Sequence, residues 1–295
     1  MFSGPEEDPA GDAGHEDAPP RVGFFTDTSV CIGCKACEVA CKEWNAVPED
    51  GLSLTGMSYD NTQALGASTW RHVAFVEERV PAPEGRTELP LADGGRSAPG
   101  ELRWLMSSDV CKHCTHAACL DVCPTGSLFR TEFGTVVVQE DICNGCGYCV
   151  PACPYGVIEQ REGDGRAFKC TLCYDRLGAG QEPACAKACP TESIQFGPLD
   201  ELRDRAAARV SQLQDEGVPG ARLYGHDPED GVGGDGAFFL LLAEPEAYGL
   251  PPDPQVTTRD LPAMWKHAGA AALSLLAGCA VSYALPALAH KGRGR

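Results

Sequence analysis

An α+β fold made of two small modules, each organised around clustered cysteines, is what this sequence predicts, and three observations predict it. Sixteen of the seventeen cysteines fall into four tight sets, and the segments between the sets are rich in turn residues. The 34 glycines and 23 prolines among 295 residues are too many for a bundle of long helices. Hydrophobic residues make up 43% of the chain, enough for the core of one large domain or two modest ones.

The sets are Cys31, Cys34, Cys37 and Cys41; Cys111, Cys114, Cys119 and Cys123; Cys143, Cys146, Cys149 and Cys153; and Cys170, Cys173, Cys185 and Cys189. Cys279 stands apart, as a small apolar residue in a different context. Most neighbours within a set are two to four residues apart, and disulfides between such close neighbours are strained. A formal net charge of −18 with no continuous basic stretch excludes nucleic acid as a partner.

Residues 1–22 are acidic and rich in Pro and Gly, and read as a disordered arm. The first twenty residues hold six acids, no Lys or Arg and no apolar stretch, which is not the pattern of a signal peptide. The first arginine is Arg21, so no twin-arginine pair precedes it, and export would depend on a partner. Residues 23–200 form the cysteine-bearing domain. Within it Val22–Phe25 and Trp70–Val76 read as strands, and residues 81–100 as a linker. Leu128-Phe129, a turn at Gly134 and Thr135–Val138 read as a β-hairpin. A C-terminal extension over 201–262 follows, with an amphipathic helix over Pro198–Leu213 leading into it and a buried strand over Ala237–Ala243 inside it. Ala268–Ala289 carries no charge over 22 residues, which predicts a transmembrane anchor helix over 266–290, although nine of those residues are alanine and five are leucine. Ala270, Ser274, Gly278 and Ser282 put small side chains on one face of it, suited to close helix packing in lipid.

A [4Fe–4S] cubane takes one thiolate per iron, and the run C-x2-C-x2-C-x3-C-P gives three ligands to one cluster and its fourth cysteine to the other cluster of a pair. The third set, from Cys143 to Pro154, fits that run throughout. The second set has a four-residue gap after Cys114, the fourth an eleven-residue insertion after Cys173, and the first has Lys42 where proline is usual. A zinc site wants two knuckles around one ion, which four cysteines within about a dozen residues, repeated, suit less well. Glycines at 33, 145 and 147 fit a backbone that approaches sulfide, and equally fit ordinary turns. Sixteen thiolates predict four [4Fe–4S] clusters in two ferredoxin-like, two-cluster modules related by a pseudo-twofold axis.

The hairpin between the second and third sets has the layout of a compact two-cluster ferredoxin, so these sets exchange fourth ligands. Cys111, Cys114, Cys119 and Cys153 then hold one cluster, and Cys143, Cys146, Cys149 and Cys123 another. The outer sets are left to pair as Cys31, Cys34, Cys37 and Cys189, and as Cys170, Cys173, Cys185 and Cys41. Spacing alone also permits first with second and third with fourth. Lys35, Lys42, Lys112 and Lys169 flank cysteines and are read as solvated. His113 and His116 are read as non-ligands and Trp44 as core packing. No residue has the setting of a catalytic acid, base or nucleophile; one-electron transfer is the expected chemistry.

The segments CIGCKACEVACKEWN (31–45), STWRHVAFVEE (68–78), ARLYGHDP (221–228) and GAFFLLLAEPEAYGLP (236–251) resemble formate dehydrogenase iron–sulfur (beta) subunits, and the likeness runs over roughly 23–290. The acidic arm departs from the family pattern. The resemblance implies the nested pairing just given and an electron-transfer role without a catalytic centre. It implies a partner that oxidises formate at a molybdenum or tungsten bis-pterin centre, and a cytochrome b-type membrane subunit that reduces quinone. The cluster motifs are shared with the iron–sulfur subunits of other molybdopterin oxidoreductases, which reduce sulfoxide, polysulfide or nitrate. Lys291, Arg293 and Arg295 after the helix, against Arg259 and Lys266 before it, favour a cluster domain on the outer face of the cell membrane, and the family implies the same.

Overall fold

In a computed structural model, which describes residues 8–51, 54, 56, 59–80 and 101–292 (for 79, 80, 101, 262 and 283–292 the backbone only), the chain folds as two units, 1–256 and 257–295. The first unit opens with helix α1 (Pro9–Asp12) and strand β1 (Val22–Asp27), followed by α2 (Ala36–Trp44). Two ten-residue strands, β2 (Arg71–Val80) and β3 (Glu101–Val110), pair antiparallel from Arg71↔Val110 to Val80↔Glu101. The connection expected as a linker, 81–100, lies outside the described residues.

Next come α3 (Ala118–Asp121) and the hairpin of β4 (Leu128–Arg130) with β5 (Val136–Val138), turning through Gly134 as the sequence predicts. A one-turn helix α4 (Cys149–Ala152) and a two-residue ladder, β6 (Glu159–Gln160) with β7 (Ala167–Phe168), lead to α5 (Tyr174–Gly178) and α6 (Ala184–Lys187). Strand β8 (Ile194–Pro198), helix α7 (Leu199–Asp215), β9 (Arg222–Tyr224) and β10 (Ala237–Leu241) complete the unit.

The main sheet has the order β8-β1-β10-β9, with β1 parallel to β10 and the other pairs antiparallel. Its two central strands are buried at nearly every position because both faces are covered. Alternation along β1 divides the covering: Phe25 packs with Leu199, Leu202, Ala206 and Phe238 under α7, while Phe24 faces Cys37, Cys41, Cys170 and Cys185. The sheet therefore has a helix side and a cysteine side. The stretch expected as a C-terminal extension supplies β9 and β10, half of this sheet's strands.

The expectation of a disordered arm is corrected for residues 8–22. The Asp8 side chain accepts from Ala10 N at 3.1 Å to cap α1, and Pro9 and Ala10 are buried. His15 Nε2 lies 3.0 Å from Arg130 O. Arg21, partly buried, donates to Thr115 Oγ1 (2.7 Å) and His113 O (3.0 Å). Composition pointed to disorder because these anchors are single residues whose partners lie about a hundred positions away.

The second unit is α8 (Leu261–Gly292). Among the described residues no helix is long and apolar enough to cross a membrane. The expected transmembrane helix is thus present as a helix but is not met as a span. Its described part starts with Lys266 and His267 and is diluted by alanine, glycine and serine, and the side chains of 283–289 lie outside the described residues.

Candidate metal centres

All four sets share one backbone device. The residue before the second cysteine is left-handed in each: Gly33 (φ 65°), His113 (48°), Gly145 (70°) and Leu172 (56°). Glycine adopts this freely, but His113 and Leu172 accept it at roughly 1–3 kcal/mol each. Such a turn folds successive N–H groups inward into a concavity that binds anions, including the sulfur of iron–sulfur sites. Leu172 N donates to Cys170 Sγ at 3.3 Å, and Gly33 N–H bonds the Cys31 sulfur in the equivalent place. At Gly33 and Gly145 a side chain is also excluded sterically, since a Cβ would stand 2.7 Å from the Phe75 ring and 2.6 Å from Gly165 O.

The third cysteine of each set opens or enters a helix, and the fourth follows one turn later. Cys37 and Cys41 lie on α2, Cys119 on α3 with Cys123 just beyond, Cys149 starts α4 before Cys153, and Cys185 lies on α6 before Cys189. Cys31, Cys34, Cys37 and Cys189 line one cavity. Cys111, Cys114, Cys119 and Cys153 line another. The Cys41 thiol is raised by the charges of Cys170, Cys185 and Cys173, and the Cys149 thiol by those of Cys143, Cys146 and Cys123. Among the described residues no three Cys, His, Asp or Glu side chains gather on a single-ion site. The sulfurs stand around cavity walls instead, which suits a cluster giving each thiolate its own iron.

Electrostatics fits the same donor set. Burial pushes the Cys37 thiol up to about 11 and Cys119 up to about 12; Cys41 and Cys170 are also raised by burial and then by neighbouring thiols, and Cys114 by burial and then by Asp235. Such thiols ionise only against a buried positive charge, which iron supplies on binding. Cys123 is the exception: burial opposes ionisation there, but hydrogen bonds from Ser127, Leu128 N and Thr125 outweigh it and bring the thiol down to about 6.

Two lysines expected to be solvated are not. Lys112 is buried beside Asp109, donates to Val110 O (3.0 Å) and lies over the rings of Tyr155 and Phe239. Lys169 is buried, donates to Val136 O and to Cys170 O (2.9 Å), and lines the Cys111 cavity. Lys35 pairs with Glu38 and Asp60, and Lys42 donates to Ser68 O. His113 is buried and neutral: burial and then Lys169 hold it well below the imidazole range, and its Nδ1 accepts from Val136 N. Trp44 is 46% exposed and does not belong to the core.

Sequence reasoning missed Arg71, Ser108, Tyr155 and Asp235. Tyr155 donates to the buried Asp235 carboxylate at 2.7 Å, beside the Cys111 cavity. For Arg71 a signal existed: it shares the strand face of Val73 and Phe75, where an apolar side chain is expected.

Residues 102–199 match a 4Fe–4S dicluster domain, and residues 30–127 match a second model described in the same words. The nitrate-inducible formate dehydrogenase iron–sulfur subunit of Escherichia coli (strain K12) is 40% identical over 252 residues, 84% of this chain and 78% of that protein. The formate dehydrogenase iron–sulfur subunit of Haemophilus influenzae is 40% identical over 240 residues, 80% of this chain and 70% of that protein. The B subunit of the anaerobic dimethyl sulfoxide reductase of E. coli is 36% identical over 185 residues, 63% of this chain and 77% of that protein. With left-handed thiol loops, buried thiols around cavities and these relatives, this protein belongs to the formate dehydrogenase iron–sulfur subunit family and binds 4Fe–4S clusters.

Proposed function

We propose that this chain carries electrons through four [4Fe–4S] clusters in a formate dehydrogenase complex, from a molybdopterin catalytic subunit to a cytochrome b-type membrane subunit. The ligand sets are Cys31, Cys34, Cys37 and Cys189; Cys41, Cys170, Cys173 and Cys185; Cys111, Cys114, Cys119 and Cys153; and Cys123, Cys143, Cys146 and Cys149. The observation that carries this reading is the nesting itself: Cys189 lines a cavity with the first set and Cys153 one with the second. The alternative pairing of first with second set would not put Cys189 there.

A continuous path is supported by packing: Cys37, Cys41, Cys111, Cys170 and Cys185 share one core cluster with Cys153 packed against it, and Cys149, Cys119, Cys123, Cys143 and Cys153 share another. Of the sixteen thiols in the four sets, only Cys34 and Cys146 are exposed; they belong to the terminal sets and mark the ends of the path. Bound clusters supply one-electron redox chemistry. This chain's residues fix their spacing, exclude water and hold compensating charge. Helix α8 contacts the membrane partner, and the first unit lies on the outer face after export with the catalytic subunit.

Anaerobic purification of the complex tests this. About sixteen irons and sixteen sulfides are expected for this chain, four of each per cubane, and formate is expected to reduce them. A sulfoxide reductase role is the second reading, favoured by the 36% identity to the B subunit of dimethyl sulfoxide reductase; clusters reoxidised by sulfoxide but not reduced by formate would select it.

A further inference from the structure

Arg71 is the largest fully buried side chain among the described residues, and none of their carboxylates pairs with it. Its Nη1 donates to Ser108 O (3.2 Å) and Ser108 Oγ (3.3 Å), and its Nη2 donates to Cys185 Sγ (3.2 Å). Ser108 Oγ stands 3.2 Å from Cys37 Sγ. Because the guanidinium occupies the hydroxyl oxygen as donor, the hydroxyl proton is directed to the Cys37 sulfur. A continuous hydrogen-bonded path therefore runs Cys37–Ser108–Arg71–Cys185. Its two ends belong to different ligand sets.

Desolvating a guanidinium costs several kcal/mol unless anions surround it. Here the ligand sulfurs of Cys185 and Cys37 stand at the two ends of the path and supply that negative charge, and a guanidinium keeps its proton in proteins. The Phe24 ring, 4.8 Å from the guanidinium carbon, adds a cation–π face and shields the group from the sheet side. A cation shared by two centres favours the form of each that carries one more electron.

We propose that Arg71, with Ser108, is the electrostatic and through-bond bridge between the centre held by Cys31, Cys34, Cys37 and Cys189 and the centre held by Cys41, Cys170, Cys173 and Cys185. Arg71 raises both potentials together, and the hydrogen-bonded path carries the coupling along which one electron leaves one centre as its neighbour gains it. No proton moves, because the guanidinium stays charged in both states. This is a positioning role, and it rests on the ligand sets proposed above.

The test is an EPR-monitored potentiometric titration of the purified complex, with iron and sulfide counted on each preparation. Arg71→Gln is expected to lower the reduced-to-oxidised ratio about tenfold at a fixed ambient potential, or about 59 mV for one electron, in two of the four centres and not in the others. Ser108→Ala keeps the cation and breaks the link to Cys37; it is expected to slow electron passage between those two centres several-fold while shifting their potentials little. If Arg71→Gln is iron-poor, Arg71→Lys keeps the charge and loses the fork, and is expected to retain the potentials but share the slow passage. Full iron content with all four potentials unchanged in Arg71→Gln, or unchanged passage in both Ser108→Ala and Arg71→Lys, overturns the proposal. A wild-type complex without four clusters overturns the ligand sets instead.

Discussion

The indole Nε1 of Trp44 donates a 2.8 Å hydrogen bond to Oδ2 of Asp175, tying the last residue of α2 to the helix that follows Cys173. The Arg176 guanidinium lies 4.1 Å from the indole, and Asn45 Nδ2 reaches Cys41 O at 2.9 Å. All four thiols of this group, Cys41, Cys170, Cys173 and Cys185, are buried. Trp44 therefore acts as an outer cover over the most enclosed site.

Trp44→Ala removes the hydrogen bond and the cation–π contact, together worth about 1–2 kcal/mol at a partly exposed position. The expected outcome is several-fold faster bleaching of the visible iron–sulfur absorbance in air, with Trp44→Phe in between. Equal bleaching rates in all three proteins would show that the cover does not limit access.

Gly33 predicts a second effect. Its φ of 65° disfavours any Cβ, and the Phe75 ring would stand 2.7 Å from one. Gly33→Ala should destabilise the first loop by about 1–2 kcal/mol from the backbone alone and lower iron content by one cluster. Thermal unfolding together with iron analysis checks both parts, and Gly33→Ala at full stability and iron would remove the steric reading.

The cysteine sets, the hairpin at Gly134 and the apolar strand at Ala237 were legible because each is a local pattern. What was not legible depends on distant partners. Lys169 looks solvated beside a cysteine, but its ammonium is enclosed by Val136 O and Cys170 O, 33 positions and one position away. Arg21 sits at the end of an acid-rich arm, and only the Thr115 and His113 loop turns it into an anchor. His113 and Leu172 carry no sequence mark of a left-handed backbone; only their equivalence to Gly33 and Gly145 in spacing points there.

His226 gives a pH dependence. Burial holds its imidazole below the ordinary range, against the pull of Asp227 and helped by Arg203, and its Nδ1 has no hydrogen-bond partner among the described residues. With the folded value depressed, the unfolded chain takes up a proton that the folded chain declines as pH falls below about 6.5. The stabilising contribution is thus present above that pH and lost on the acid side. His226→Asn lacks this proton uptake, so the thermal midpoint of the wild type should fall relative to the variant between pH 7.5 and 5.5. A constant difference across that range would contradict the assignment.

The nesting of the sets makes the last prediction. Cys153 is ten residues from Cys143 in sequence, yet it lines the cavity of Cys111, Cys114 and Cys119, while Cys123 neighbours Cys149. Replacing one thiolate by serine alters the centre it serves and leaves the others close to native. Cys153→Ser and Cys119→Ser should therefore perturb one and the same EPR signal, and Cys123→Ser and Cys149→Ser a different one. Cys153→Ser sharing its signal with Cys149→Ser would mean that each set holds its own cluster. In that case Cys41 and Cys189 would also serve their own sets, and the path from Cys37 through Ser108 and Arg71 to Cys185 would still join two different centres.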